Sequence, residues 1–378
     1  SRVRIRWRPR LTFRRKLRAR LAAEHLRRAG AGALALALAG CAAAGPSVLA
    51  PKRQLLIYRN GGQTFSVSSP SGGAARALGD ASQALLSPDG TRVLALSTGQ
   101  SRATLTLYPT SGRGVARVIA QLGAPRFLPD GTRLRSWSPD SRYVSLTANE
   151  LSTAGEESAL LVLDVHTGHV RTIATGDFLG ASFAPALPDR LVYADASVAQ
   201  LDNNESLLYE TEANGGRTRE LTRSGLASAP VWGAHGIVFA KLLRLGSESS
   251  SPLYALWQIE PSGRGLQRLG GFASGPPDAG SSGAALWLSA DGDRLVGDFY
   301  SPFQQVEVWA LDLAGRHRST RRMRVAGATI VAEGISRNGK AILLKERTSG
   351  ASEIVSLDWN GTRQRVLAYS AGDASWNH

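Results

Sequence analysis

One unit of about 48 residues recurs from Leu55 to Ala341, and this repeat limits the possible folds more than any other feature of the chain. Its clearest mark is a polar turn: Leu86-Ser-Pro-Asp-Gly90, Trp137-Ser-Pro-Asp-Ser141, Leu288-Ser-Ala-Asp-Gly292 and Ile335-Ser-Arg-Asn-Gly339. Degenerate copies stand at Phe183-Ala-Pro185 with Pro188-Asp189, and at Trp232-Gly-Ala-His-Gly236. Proline presets the second turn position, Asp caps the loop through its side chain, and Gly accepts the left-handed site. These turns are therefore read as structural rather than catalytic.

Each turn precedes a β-rich run: Arg92–Leu96, Tyr143–Leu146, Leu191–Tyr193, Ile237–Phe239, Arg294–Val296 and Ala341–Leu344, with an unheralded first copy at Leu55–Tyr58. A third strand follows, as in Leu160–Asp164, Val306–Asp312 and Glu353–Asp358, and most end in a Gly turn such as Thr167-Gly168 or Asn360-Gly361. Charged outer strands, Val170–Ile173 among them, suit an exposed edge that must not pair with a neighbour. A period of this length is near that of a propeller blade. The expected fold is all-β, a β-propeller of seven blades with four antiparallel strands each. Uneven steps, 37 residues from Leu55 to Arg92 and 57 from Ile237 to Arg294, leave six blades as the alternative. The C-terminal Asp373-Ala-Ser-Trp-Asn-His378 resembles the inner strands before the other turns. It is expected to supply the missing inner strand of the first blade and close the ring, removing free sheet edges.

The Ser-Pro-Asp-Gly turn, the apolar strand after it, and the Leu-Tyr or Leu-Asp strand with its Gly turn resemble the WD40-like repeat of TolB-type β-propellers over roughly residues 53–378. The resemblance implies the fold. It says little about activity, because propellers host binding proteins, lyases, peptidase gates and glycosidases. TolB itself carries an additional N-terminal domain, whereas here the repeats are expected to begin directly after a short N-terminal segment, at Leu55.

Charge is concentrated at the other end. The formal net charge is +15, and residues 1–28 hold twelve Lys or Arg against Glu24 alone, leaving only +4 for the rest. A basic head on a nearly balanced body matches a targeting segment better than a nucleic-acid-binding face, so no nucleic-acid partner is expected. Twelve small or apolar residues from Ala29 to Gly40 follow, too few for a span of about 20. They lead to Leu38-Ala39-Gly40-Cys41, which resembles a bacterial lipobox, and Cys41 is the only cysteine. A buried free cysteine in an Ala-rich helix is the competing reading. The organisation expected is a basic region plus lipoprotein signal peptide over 1–40, a lipid-anchored tether over 41–53, and the propeller over 54–378. The location is then the cell membrane on its extracytoplasmic side, with membrane lipid held through Cys41.

Chemistry-bearing motifs are sparse. The sequence has no Gly-x-Ser-x-Gly elbow and no His-Glu-x-x-His site, and a single cysteine allows no intrachain disulfide. His166 and His169 bracket a hairpin turn and lack a third ligand nearby, while Glu156-Glu157 and Asp202–Glu205 lack the regular spacing of a calcium loop. No metal and no cofactor are expected. Trp137, Trp232, Trp287 and Trp376 read as equivalent inner-strand positions: either a recognition surface around the axial channel or wedges between blades. Asp195, Asp298 and Glu346, after the second strands, are the carboxylates on which an enzyme would draw. The functional expectation is a non-catalytic binding or scaffolding lipoprotein of the cell envelope that recognises a protein, peptide or glycan through a propeller face. The alternative is an envelope enzyme of lyase or glycosidase type with its site at the channel mouth.

Overall fold

The structure is a computed structural model that describes residues 55–60, 64–68, 75–111, 113–152, 155–196, 206–223, 225–244, 253–273, 284–300, 306–313, 319–323, 329–347, 352–362, 364–369 and 371–376. Cys41, its lipobox and the Asp202–Glu205 cluster lie outside them.

Among the described residues, seven four-stranded antiparallel sheets follow one another along the chain. Sheet 1 holds β1 (Leu56–Asn60), β2 (Thr64–Ser68) and β3 (Arg76–Asp80), and sheet 2 holds β4 (Gln83–Leu86), β5 (Arg92–Thr98), β6 (Arg102–Pro109) and β7 (Arg117–Gly123). Sheet 3 comprises β8 (Phe127–Trp137), β9 (Tyr143–Ser152), β10 (Gly155–Asp164) and β11 (Val170–Gly176). Sheet 4 comprises β12 (Phe178–Phe183), β13 (Arg190–Asp195), β14 (Leu207–Glu212) and the two-residue β15 (Arg219–Glu220). Next come β16 (Leu226–Gly233), β17 (Gly236–Arg244), β18 (Leu253–Ile259) and β19 (Gln267–Ala273) as sheet 5. Sheet 6 is β20 (Ala284–Leu288), β21 (Arg294–Tyr300), β22 (Val306–Asp312) and β23 (Ser319–Met323). Sheet 7 is β24 (Thr329–Ile335), β25 (Ala341–Arg347), β26 (Ser352–Asp358) and β27 (Gln364–Tyr369). The last strand, β28 (Ala371–Trp376), pairs antiparallel with β1, Leu56 opposite Trp376, and is the fourth strand of sheet 1. The sheets are the blades of a β-propeller, and the second and third strands fall where the repeat predicts them.

Local chemistry explains why the first hairpin of a blade recurs. Ser87 donates its hydroxyl to Asp89, Thr91 N–H donates to Asp89 Oδ1 at 2.9 Å, and Arg92 N–H donates to Ser87 Oγ at 3.0 Å. The same pattern holds for Ser138 with Asp140, Ser289 with Asp291 and Ser336 with Asn338. All four serines are buried; each hydroxyl satisfies a backbone amide that would otherwise be buried without an acceptor, a loss of about 1–3 kcal/mol. The fourth turn position has positive φ at Gly90 (70°), Gly292 (76°) and Gly339 (67°), and also at Ser141 (59°). The degenerate Trp232 copy is instead a tight hairpin in which Gly233 faces Gly236 across Ala234-His235.

The core consists of apolar layers between adjacent sheets. Leu94, Leu96 and Leu105 of sheet 2 pack with Trp137, Val144 and Leu161 of sheet 3, and Val296 and Val308 of sheet 6 pack with Ile330 and Leu344 of sheet 7. Sheet 7 likewise packs on sheet 1 through Leu343 and Ile354 against Leu56 and Ala374. Turns join neighbours as well: Arg92 Nη2 donates to Ser141 O at 2.8 Å, and its counterpart Arg294 donates from Nη1 to Gly339 O at 2.7 Å.

Candidate functional site

The inner strands converge at the ends that run into the Ser-Pro-Asp-Gly turns and enclose a cavity of about 450 Å³. Six of the seven sheets line it, from Leu85, Leu86 and Pro88 of sheet 2 round to Arg337 of sheet 7. Trp137, Trp232 and Trp287 all stand in its wall. The side chain of Trp376 lies outside the described residues.

Strand register corrects the equivalence expected of these tryptophans. Trp137 faces Val144 and Trp232 faces Ile237, and the matching pair in sheet 6 is Leu288 with Leu295, so Trp287 stands one position earlier, opposite Val296. Successive strand side chains point to opposite faces of a sheet. Trp137 and Trp232 accordingly pack toward the preceding sheet, as Leu288 does, whereas Trp287 packs toward the following one. Wedge and wall are thus the same residues: Trp137 and Trp232 are nearly buried, yet one face of each borders the cavity. Trp137 Nε1 donates to Leu85 O at 3.3 Å, which fixes the indole.

Apart from these aromatics the wall is chiefly aliphatic and proline, and its hydroxyls are already engaged. Ser136 and Ser145 share a hydrogen bond of 2.8 Å. Ser182 Oγ accepts Trp232 N–H at 3.1 Å, and Ser289 serves its turn. Two guanidinium groups, Arg135 and Arg337, were not singled out from the sequence. Arg135 Nε donates to Thr147 Oγ1 at 3.3 Å. Its side chain is exposed to solvent and lines the cavity. Desolvation by the surrounding protein lowers its pKa and the charge of Arg133 lowers it further. Arg337 reaches from sheet 7 to the turn of sheet 2, where Nη1 donates to Pro88 O at 3.5 Å, and burial lowers its pKa too. Arg337 occupies the turn position held by Pro88 and Pro139, and that substitution was the one available sequence signal. Nothing local marks Arg135.

The three carboxylates are not brought to this cavity. Asp195, at the end of β13, is buried and its Oδ1 accepts the N–H of Asp177, the residue that links β11 to β12, at 3.1 Å. Glu346 accepts from Gln364 Nε2 at 2.8 Å. Asp298 is 3% exposed and accepts the Ala332 amide at 2.7 Å, beside a bulge in β24 of the next sheet. Burial drives its pKa well above the usual carboxylate range; Glu333 adds to the rise and the Ala332 hydrogen bond opposes it. Among the described residues no group of three His, Cys, Asp or Glu side chains could hold a metal ion. The backbone amides of His166 and His169 are tied into the hairpin turn, to Asp164 Oδ1 at 2.9 Å and Thr167 Oγ1 at 3.2 Å. Glu156 meets Asn149 across its own sheet.

No family model and no curated protein matches the chain. Solved structures do. Oligogalacturonate lyase from Vibrio parahaemolyticus superposes with a TM-score of 0.58 at 10% identity, over 80% of this chain and 91% of that one. The β-propeller domain of the Trilobed protease from Pyrococcus furiosus gives 0.56 at 12%, covering 81% and 89%. TolB from Acinetobacter baumannii gives 0.46 at 14%, covering 85% and 81%. At such identities the likeness is one of fold alone.

Proposed function

We propose that this chain is a non-catalytic binding or scaffolding lipoprotein of the bacterial cell envelope, tethered to the membrane through Cys41 and engaging an envelope protein, peptide or glycan at the turn end of its propeller. One observation carries the binding half: a cavity of about 450 Å³, walled by six sheets and three tryptophans, whose lining among the described residues includes no carboxylate. Its volume is that of a small-ligand pocket, about 300–1,000 Å³. The tethering half rests on the basic head, the short apolar run and the lone cysteine.

Intact mass and detergent partitioning of the membrane fraction, for wild type and Cys41→Ala expressed in a bacterium, test the tether. A diacylglyceryl mass on a chain beginning at Cys41, lost in the variant, is the expected result; an unmodified chain in both overturns it. Envelope extracts passed over immobilised wild type and Trp287→Ala test the site, with retention expected only on the wild type.

The enzymatic alternative has one specific observation behind it, the raised pKa of buried Asp298, which suits a proton donor. Its carboxyl is committed to the Ala332 amide and is absent from the cavity wall. Asp195 and Glu346 are likewise engaged, Asp195 with the linker ahead of β12 and Glu346 with Gln364. The binding reading accounts for more of the geometry.

A further inference from the structure

We infer that the cavity receives the C-terminal end of an extended apolar peptide, with the guanidinium of Arg135 on its α-carboxylate and Trp137, Trp232 and Trp287 against its side chains. The inference rests on the binding reading above and narrows it to one ligand chemistry.

Charge is the first reason. Arg135 and Arg337 line the same cavity, and neither forms an ion pair with a carboxylate among the described residues. The like charge of Arg133 acts on Arg135, a repulsion that a bound anion relieves. A guanidinium is also the side chain best shaped for two parallel hydrogen bonds to a carboxylate.

The wall supplies the second reason. A glycan is read through its hydroxyls, yet the cavity's own hydroxyls are spent on the protein: Ser136 on Ser145, Ser182 on the Trp232 amide, Ser289 on its turn. The rest of the wall is carbon, indole and charge. That combination fits a body with apolar side chains and one anionic end.

Backbone provides the third. Each inner strand is an edge of its sheet, paired with another strand on one side only; neighbouring sheets already take some of its edge groups, the Leu134 amide by Gln83 and the Trp232 amide by Ser182, and such an edge is where an extended peptide adds. Arg135 lies two residues upstream of Trp137 along β8, hence deeper than the turns, while Arg337 sits within a turn at the rim. A chain entering end-first from the turn side therefore delivers its terminal carboxylate to Arg135 and passes Arg337 on the way.

Calorimetric titration of the full chain tests this with two pools of pentapeptides built from Ala, Val, Leu and Phe, one ending in a free carboxylate and one in a carboxamide. The free-acid pool is expected to bind and the amide pool to bind about tenfold more weakly or less, the loss of one charge-assisted pair. Arg135→Gln should erase that difference with an unchanged melting temperature, Arg337→Ala should weaken both pools by a smaller factor, and Trp287→Ala should weaken both without altering the ratio. If Arg135→Gln unfolds the chain, Arg135→Lys, which keeps charge and loses the fork, is read for the same reduced ratio. Equal affinity for acid and amide would overturn the carboxylate assignment and leave the cavity as a binding site. Binding of decanoate or an acidic oligosaccharide with neither peptide pool would overturn the peptide. No binding by any of these probes would remove the binding reading along with the inference.

Discussion

The two ends of the propeller's strands follow different rules. At the turn end four blades repeat one hydrogen-bonding device, a buried serine accepting the first amide of the second strand while Asp or Asn caps the loop. Toward the far end of the second strands the equivalent positions diverge: Asp298 aligns with Lys345, Ala240 and Thr147, and the carboxylates there make contacts that are not repeated from blade to blade. Repetition builds a uniform rim at one end, where the tryptophans and guanidiniums converge. Divergence at the other end leaves local staples. A rigid rim is what a preorganised pocket needs, since a ligand then pays little to order it.

Breaking the wedge should have the largest effect. Trp232→Ala empties a nearly buried site and should cost about 3–5 kcal/mol in denaturant unfolding. Trp287→Ala, half-buried and turned to the other sheet face, should cost roughly 1–2 kcal/mol. Equal losses would mean that the register difference has no energetic meaning. At the rim, Ser87→Ala leaves the Arg92 amide without its acceptor and should cost about 1–2 kcal/mol, and Ser289→Ala should match it if the device is truly repeated.

A staple at the far end should respond to pH instead. The raised pKa of Asp298 means that the folded chain holds this proton more tightly than the unfolded chain. Stability from the group is therefore complete below the unfolded carboxyl pKa and falls as pH rises through the folded value. Asp298→Asn should melt above the wild type at pH 7, with the two curves converging near about pH 3; a variant less stable at both pH values would mean that the carboxyl is held charged and useful. The smallest effect is expected at Ser141→Gly. It relieves a positive φ of 59° but removes the hydroxyl that accepts Asp89 N–H at 3.1 Å, so the net change should stay within about 0.5 kcal/mol.

Much of the fold was legible because the repeat is written in turn chemistry. Proline, Asp and Gly at fixed offsets bend the chain whatever surrounds them, and the strands between read directly as apolar runs. The site was legible only in part. Trp137, Trp232 and Trp287 stand out as bulky residues before turns, and counting back from the turn serine already separates Trp287, two positions before Ser289, from Trp137, next to Ser138. Arg135 could not be found that way: it is one more charged residue in a strand until the ring brings β8 alongside five other sheets.

The tripeptide Pro-Asp-Gly marks where local sequence stops deciding. At Pro88-Asp-Gly90 it is the turn between β4 and β5, because Ser87 ahead of it binds both Asp89 and the Arg92 amide. At Pro129-Asp-Gly131 it lies inside β8, within a register shift between Leu128 and Arg133 that β9 pairs across. Leu128 has no hydroxyl to close a loop, and cross-strand pairing carries the chain onward. By itself the sequence determined the period, the strand chemistry and the turns, because these depend on neighbours within five residues. That the C-terminal strand completes sheet 1 was legible too, from its likeness to the other inner strands; only the tertiary structure decided that three tryptophans and the guanidiniums of Arg135 and Arg337 share a wall, because those relations join residues as much as about 200 positions apart.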